Sequence, residues 1–154
     1  MSAIQNYCMR FWLAALLLVD AGCFSTDKVW HGSLSFSESE RAQIGQGAGF
    51  LSYMTGASLV ILWDDEVNAN RSIVKESLDP GTIGLTTTFA GGKQKIAFDP
   101  SLRVYKMASV AAHEFGHSIG MDHVSEGVMS ASAPNCIQWS PEDEAECKRA
   151  GWCR

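Results

Sequence analysis

The chain has 154 residues, of which 46% are apolar and 19% charged, proportions that fit one domain of ordinary size with a real hydrophobic core. Its net charge is −5, and no Lys/Arg run or basic patch appears, which removes nucleic acid from the expected partners. No internal repeat or low-complexity segment is present.

Met1 to Arg10 is polar with one cation, Phe11 to Val19 is an unbroken apolar run, and Asp20-Ala21-Gly22-Cys23 follows with small residues suited to cleavage. Residues 1–22 therefore read as a secretory signal peptide. The run is about half the length a membrane-crossing helix needs, and polar sequence follows, so no permanent transmembrane anchor is expected. Val19 with Ala21 satisfies the small-residue rule of ordinary signal peptidase. Ala21-Gly22-Cys23 also resembles a bacterial lipobox, whose cysteine would carry a lipid anchor, although Asp20 departs from the aliphatic residue expected there. The chain is expected to be exported, either secreted or attached to the cell envelope, with an N-terminal segment over 23–36 and one folded domain over 37–154.

Cys8 leaves with the signal, and Cys23, Cys136, Cys147 and Cys153 stay. Four cysteines in an exported chain suggest two disulfides, with three possible connectivities, and lipidating Cys23 would leave an odd thiol. The C-terminal cluster suggests a bridge from Cys136 to Cys147 or Cys153. No histidine accompanies these cysteines and none forms a C-x-x-C pair, which argues against a second metal site.

Ser25 to Ser33 is polar and expected to be irregular, with Trp30 as the first anchor. Ser37 to Tyr53 reads as a helix: Ser37 can cap it, Glu38 and Glu40 suit the first turn, and Ile44, Ala48, Leu51 and Tyr53 recur at helical spacing. Gly45, Gly47 and Gly49 weaken it by about 1 kcal/mol each against alanine, and would allow close packing against a sheet. Leu59-Val60-Ile61-Leu62-Trp63 reads as a buried strand. The Asp64-Asp65-Glu66 triplet after it could bind Ca2+ through hard carboxylate oxygens, but no loop of calcium-ligand spacing follows, and a solvated turn is the simpler reading.

Val67 to Asp79 is expected to be a polar linker or short helix, with the sequon Asn70-Arg71-Ser72 marking an exposed loop. Pro80-Gly81 marks a turn, Thr82 to Phe89 reads as a strand, Ala90-Gly91-Gly92-Lys93 breaks it, and Lys95-Ile96-Ala97-Phe98 is a further strand stopped by Asp99-Pro100. Towards the end, Ala131 to Trp139 forms a loop containing Pro134. Ser140-Pro141-Glu142-Asp143-Glu144 then opens a final helix with a cap, a first-position proline and acids in the first turn.

One stretch organises the rest. His113-Glu114-Phe115-Gly116-His117-Ser118-Ile119-Gly120-Met121-Asp122-His123 reads H-E-x-x-H-x-x-G-x-x-H without a mismatch. Two histidines four positions apart share one face of a helix, so their imidazoles can converge on one cation. Ser109 precedes them as a residue suited to capping that helix. Gly120 can adopt the left-handed conformation that ends it, and the chain then brings His123 toward the metal. Three nitrogen ligands leave zinc's fourth position to water, which marks a catalytic rather than a closed structural site.

This motif resembles that of the metzincin metallopeptidases, and its wording, HEFGHSIGMDH, is most similar to the matrixin branch. The resemblance implies an α+β fold: a twisted mixed sheet packed on an N-terminal helix and an active-site helix, with a short C-terminal helix after a methionine turn. Gly127-Val128-Met129-Ser130 lies where that turn belongs, so Met129 is the expected hydrophobic floor under the zinc. The strand, glycine-rich loop and strand from Thr82 to Phe98 also resemble the matrixin pattern. By that resemblance Thr86, Thr87, Thr88 and Phe89 form an exposed edge that pairs with an extended substrate, since an unpaired edge offers backbone donors and acceptors. The loop after Met129 is expected to wall the side-chain pocket.

The likeness is strong from Thr82 to Arg154 and architectural before that. It departs in several places. Val124 follows the third histidine where many matrixins have serine. His31 is the one histidine outside the motif, so the second, structural zinc of larger matrixins is not expected. Neither a cysteine-switch prodomain nor a hemopexin-like domain is expected.

The expected function is that of a zinc-dependent endopeptidase with one catalytic Zn2+. Zinc on His113, His117 and His123 would lower the pKa of a bound water to about 7 and polarise the substrate carbonyl. Glu114 would take the water's proton and pass it to the departing amine. Asp122 either orients the ligand it precedes or caps its loop. A protein or peptide substrate is the expected partner, and a monomer the expected state. The other class kept open is a catalytically degenerate metzincin acting as a peptide-binding or adhesion module, which the glycine-interrupted helix would allow. The intact motif favours the enzyme.

Overall fold

The computed structural model describes residues 28–66, 69–132 and 137–153. The expected signal peptide over 1–22, Cys23, Pro134 and Cys136 lie outside the described residues. One sheet contains β1 (Lys28–Gly32), β2 (Leu59–Trp63), β3 (Arg71–Lys75), β4 (Gly84–Thr88) and β5 (Gln94–Phe98), in the order β2-β1-β3-β5-β4. The first four strands of that order through β5 run parallel, and β4 is antiparallel to β5. Helices α1 (Glu38–Thr55) and α2 (Val104–Ser118) pack along each other, and the short α3 (Pro141–Arg149) follows. This is the mixed α+β architecture the resemblance implies.

Two strands correct the reading of the sequence. Lys28–Gly32, expected to be irregular, lies in the sheet between β2 and β3. Arg71–Lys75, expected to be linker or helix, pairs with β5. Both mix polar and apolar residues, and their burial comes from neighbours far away in sequence. Trp30 of β1 is fully buried and meets Phe115 of α2 edge to face at 5.4 Å, a contact contributing about 0.5–1.5 kcal/mol beyond the area it buries. On β3, Lys75 donates to Glu40 of α1 at 2.8 Å, and Arg71 Nε donates to Gln94 at 3.2 Å.

α1 begins where its sequence says it should. Ser37 accepts from the Glu40 N–H while the Glu40 side chain accepts from the Ser37 N–H, a reciprocal cap, and Gly56 at φ +73° ends the helix. The glycines act differently from expectation. Gly47 packs on α2 rather than on the sheet: a Cβ there would lie 2.8 Å from both Ala111 Cβ and Ala112 N and would overlap the Ala108 carbonyl. Gly45 and Gly49 face open space. Close approach of α1 and α2 thus depends on one residue of the three.

α2 starts earlier than expected, with Arg103 at its N-cap, so Ser109 lies inside the helix and donates to the Lys106 carbonyl at 2.9 Å instead of capping. Three donors meet the far end of α2. Lys28 Nζ and Gln94 Nε2 reach the Ser118 carbonyl at 3.0 and 2.9 Å, and Trp152 Nε1 reaches that of Ile119 at 2.8 Å.

α3 opens on a Ser140–Asp143 capping box with Pro141 in the first turn. At its other end Gly151 takes φ +85°, its N–H meeting Lys148 O and the next, from Trp152, meeting Cys147 O. That turn brings Cys153 back to Cys147, and the two form a disulfide. The expected bridge from Cys136 to either of them is therefore corrected. No helix among the described residues is long and apolar enough to cross a membrane.

Candidate active site

His113 and His117 occupy successive turns of α2, and Gly120, at φ +91°, lets the chain leave the helix and return with His123. Their Nε2 atoms converge: His117 and His113 are 3.0 Å apart, and His123 is 3.2 Å from each. The Nδ1 of His113 faces the Val128 carbonyl, and that of His117 the Met121 carbonyl, both at 2.8 Å. A carbonyl only accepts, so each ring carries its proton on Nδ1 and aims the Nε2 lone pair at the shared point. Burial holds the His113 ring down to about 4 and lowers His117 as well, which keeps both neutral as ligands must be.

Facing lone pairs repel unless a cation lies between them. Zinc–nitrogen bonds of about 2.0–2.1 Å at tetrahedral angles would set the nitrogens about 3.3 Å apart, so the donor set fits zinc. Among the described residues no other group of three His, Cys, Asp or Glu side chains converges in this way.

Glu114, on the same helix, is only 4% exposed. Burial pushes its carboxyl up to about 7, against the lowering effect of hydrogen bonds from Thr86. The Thr86 hydroxyl lies 2.8 Å from Glu114 Oε2 and 2.8 Å from the Glu114 carbonyl. Gly84, at the start of β4, leaves the space that the carboxylate fills: a Cβ there would stand 2.7 Å from Oε1. Beside them opens a cleft of about 500 Å³, lined by Leu85, Val110, Ser130 and the three histidines among others. Among the described residues β4 forms the outer strand of the sheet here and has β5 on one side only. Thr86, Thr87 and Thr88 belong to that strand, while Phe89 follows it, half exposed, before a single helical turn over Ala90–Gly92.

Beneath the histidines lies the turn through Met129, which is fully buried. Its sulfur occupies the place a Cβ on Gly116 would take, so α2 is notched to seat it. Asp143 of α3, also fully buried, fixes the turn by accepting the N–H groups of Val128 at 2.9 Å, Met129 at 2.8 Å and Ser140 at 2.8 Å. The Val128 carbonyl in turn orients His113. Asp122 is joined to α3: its carboxylate meets Arg149 at 2.9 Å and its N–H is given to Glu146.

Both aspartates of the acidic triplet after β2 are engaged by the protein. His31 Nδ1 lies 2.9 Å from Asp64, and Asp65 accepts the Leu34 N–H at 2.7 Å.

A sequence model of the matrixin peptidases matches residues 19–144, most of the chain. The chain belongs to the matrixin family. This matrixin is also similar to solved metzincin-type structures. Archaemetzincin from Methanopyrus kandleri is 14% identical with a TM-score of 0.53, over 86% of this chain and 98% of that one, a likeness of fold. Myroilysin is 17% identical with a TM-score of 0.43, over 62% of this chain, which spans about half (49%) of myroilysin's length. No curated protein is similar enough to the matrixin to count as a match. Family and fold together support a zinc metallopeptidase in general.

Several residues around the histidines escape a reading of the sequence alone. Thr86 reads as part of the substrate-binding edge but not as the partner of Glu114, Asp143 reads only as a first-turn acid, and Gly84 and Gly116 are not singled out. Asp143 carried one signal, its position three residues after the capping Ser140, but nothing local says that the methionine turn lies above it.

Proposed function

We propose that this matrixin is an exported zinc endopeptidase that hydrolyses peptide bonds in proteins. The observation that carries the reading is the convergence of three Nε2 atoms at 3.0–3.2 Å beside a buried carboxylate. His113, His117 and His123 would hold the zinc. When bound, it supplies Lewis acidity to the scissile carbonyl and makes a water acidic near neutral pH.

The chain's own groups do the rest. Thr86 holds Glu114 Oε2, which leaves Oε1 to take the proton of the attacking water and to deliver it to the departing amine nitrogen. The free edge of β4 offers backbone N–H and C=O groups to an extended peptide, so that substrate binds alongside the cleft with little dependence on its sequence. Side-chain preference then falls to the pocket beside Val110 and Ser130. Asp143 acts at a distance, by fixing the turn whose carbonyl orients His113.

Export is supported by the apolar run Phe11 to Val19 and by the Cys147–Cys153 disulfide, since such bonds persist in oxidising compartments. Cleavage of a mixed peptide library by the zinc-loaded chain tests the activity. Cutting that stops on chelation and returns with zinc is expected, and its cut sites define the pocket. A folded, zinc-bound chain that cuts nothing would instead favour the peptide-binding module.

A further inference from the structure

α3 turns charged side chains toward the loop that carries the third histidine. Glu146 accepts the Asp122 N–H, while Arg149 donates to the Gly120 carbonyl at 3.0 Å and to the Asp122 carboxylate at 2.9 Å. The two side chains also bind each other, Arg149 Nε lying 2.6 Å from Glu146 Oε2 with a second contact through Nη2. The backbone is thereby tied on both sides of Met121.

The three histidines are not held equally. His113 and His117 sit on a helix, and each has its Nδ1 on a backbone carbonyl. His123 is exposed, stands on a loop, and has no hydrogen bond to Nδ1 among the described residues. Its ring can only be as well placed as the backbone from Gly120 to Asp122.

We propose that Glu146 and Arg149 are positioning residues for His123, holding its loop so that its Nε2 meets those of His113 and His117 before the metal arrives. The proposal rests on the zinc reading above. Preorganisation of this kind lowers the ordering cost of metal binding and slows metal release. Arg149 is suited to that task without being central to stability. Its ion pair with Asp122 is exposed, at 54% and 81% of the two side chains, and exposed ion pairs contribute little to global folding, whereas the Glu146 side chain is only 11% exposed. Exposed pairs are also open to screening by salt.

Zinc release from the full chain into excess chelator tests the proposal, at low and at high ionic strength, with the metal-free unfolding temperature recorded for each variant. Arg149→Met and Glu146→Gln are expected to release zinc about tenfold faster, the size typical of losing a group that orients a ligand. Arg149→Lys should restore part of the difference, because it keeps the charge. Salt should speed release from the unaltered chain and have little effect on Arg149→Met. Lys148→Met is the control: it removes the other α3 ion pair, Lys148 with Glu144 at 2.8 Å, and should release zinc at the unaltered rate.

Equal release by Arg149→Met and the unaltered chain overturns the proposal, as does an equal effect of Lys148→Met. So does faster release that merely follows a fall in metal-free stability. Were a variant not to fold, the salt response of the unaltered chain still decides: insensitivity counts against the proposal. If the unaltered chain binds no zinc, the zinc reading falls and this proposal with it. If it binds zinc tightly and every variant matches it, only this proposal falls.

Discussion

Thr86 Oγ1 lies 2.8 Å from Glu114 Oε2, so the outermost strand of the sheet grips the carboxylate at the centre of the cleft. Strand and carboxylate are then set in one register, and a peptide laid along β4 would meet a base already oriented. Thr86→Val keeps the shape of the side chain and removes the hydroxyl. It is expected to lower kcat about tenfold, which corresponds to about 1.4 kcal/mol, with KM and zinc content unchanged. Thr86→Ser should keep most of the rate. Steady-state kinetics on one peptide checks both, and an unchanged kcat in Thr86→Val would remove the role.

The Glu114 carboxyl, pushed up to about 7 by burial, links the site to protons. Its folded value lies above its ordinary 4.5, so in the metal-free protein its contribution to stability is full below about 4.5 and is lost as pH rises through about 7. A divalent cation nearby favours the charged carboxylate and reverses that preference. Zinc binding near pH 6 should therefore release a proton from Glu114, and Glu114→Gln should release one fewer. Calorimetry in buffers of different ionisation enthalpy counts the protons, and equal counts would contradict the linkage.

Asp143 receives three backbone N–H groups in a fully buried position. Asp143→Ala would leave the donors of Val128, Met129 and Ser140 without this acceptor, and each such loss costs about 1–3 kcal/mol. A total destabilisation of about 3 kcal/mol or more is expected in urea unfolding, together with weaker zinc binding, because the Val128 carbonyl also holds His113. A loss under 1 kcal/mol would mean that the turn stands without α3.

Two glycines of α1 should respond in opposite directions to the same change. Gly47→Ala places a methyl group against the backbone of α2 at Ala108 and Ala112 and should cost about 1–3 kcal/mol. Gly49→Ala adds its methyl to open space and should stabilise the helix by about 0.5–1 kcal/mol. Thermal unfolding of the two variants distinguishes them, and equal shifts would contradict the helix contact.

The histidine triad is legible in the sequence because helical spacing and one glycine suffice to bring His113, His117 and His123 together. The caps of α1 and α3 are legible for the same reason: Ser37 with Glu40, and Ser140 with Asp143, act within four residues. What distant chain decides is hidden. β1 and β3 become strands because of partners elsewhere in the sheet, and Trp30 is buried by a helix that comes some eighty residues later. The pairing of Cys147 with Cys153 follows from the turn at Gly151, a local backbone feature that cysteine spacing does not announce. Asp143 and Arg149 read as ordinary helix charges until the ligand loop is laid over them.

The most direct measurement is the rate of peptide hydrolysis by Glu114→Ala beside the unaltered chain, with equal zinc content established for both. If Glu114 moves the proton at a site held by the three histidines, the variant keeps its zinc and loses activity about a hundredfold or more, as expected when a general base is removed. Equal rates from the two proteins would contradict the assignment of this carboxylate and of the cleft around it.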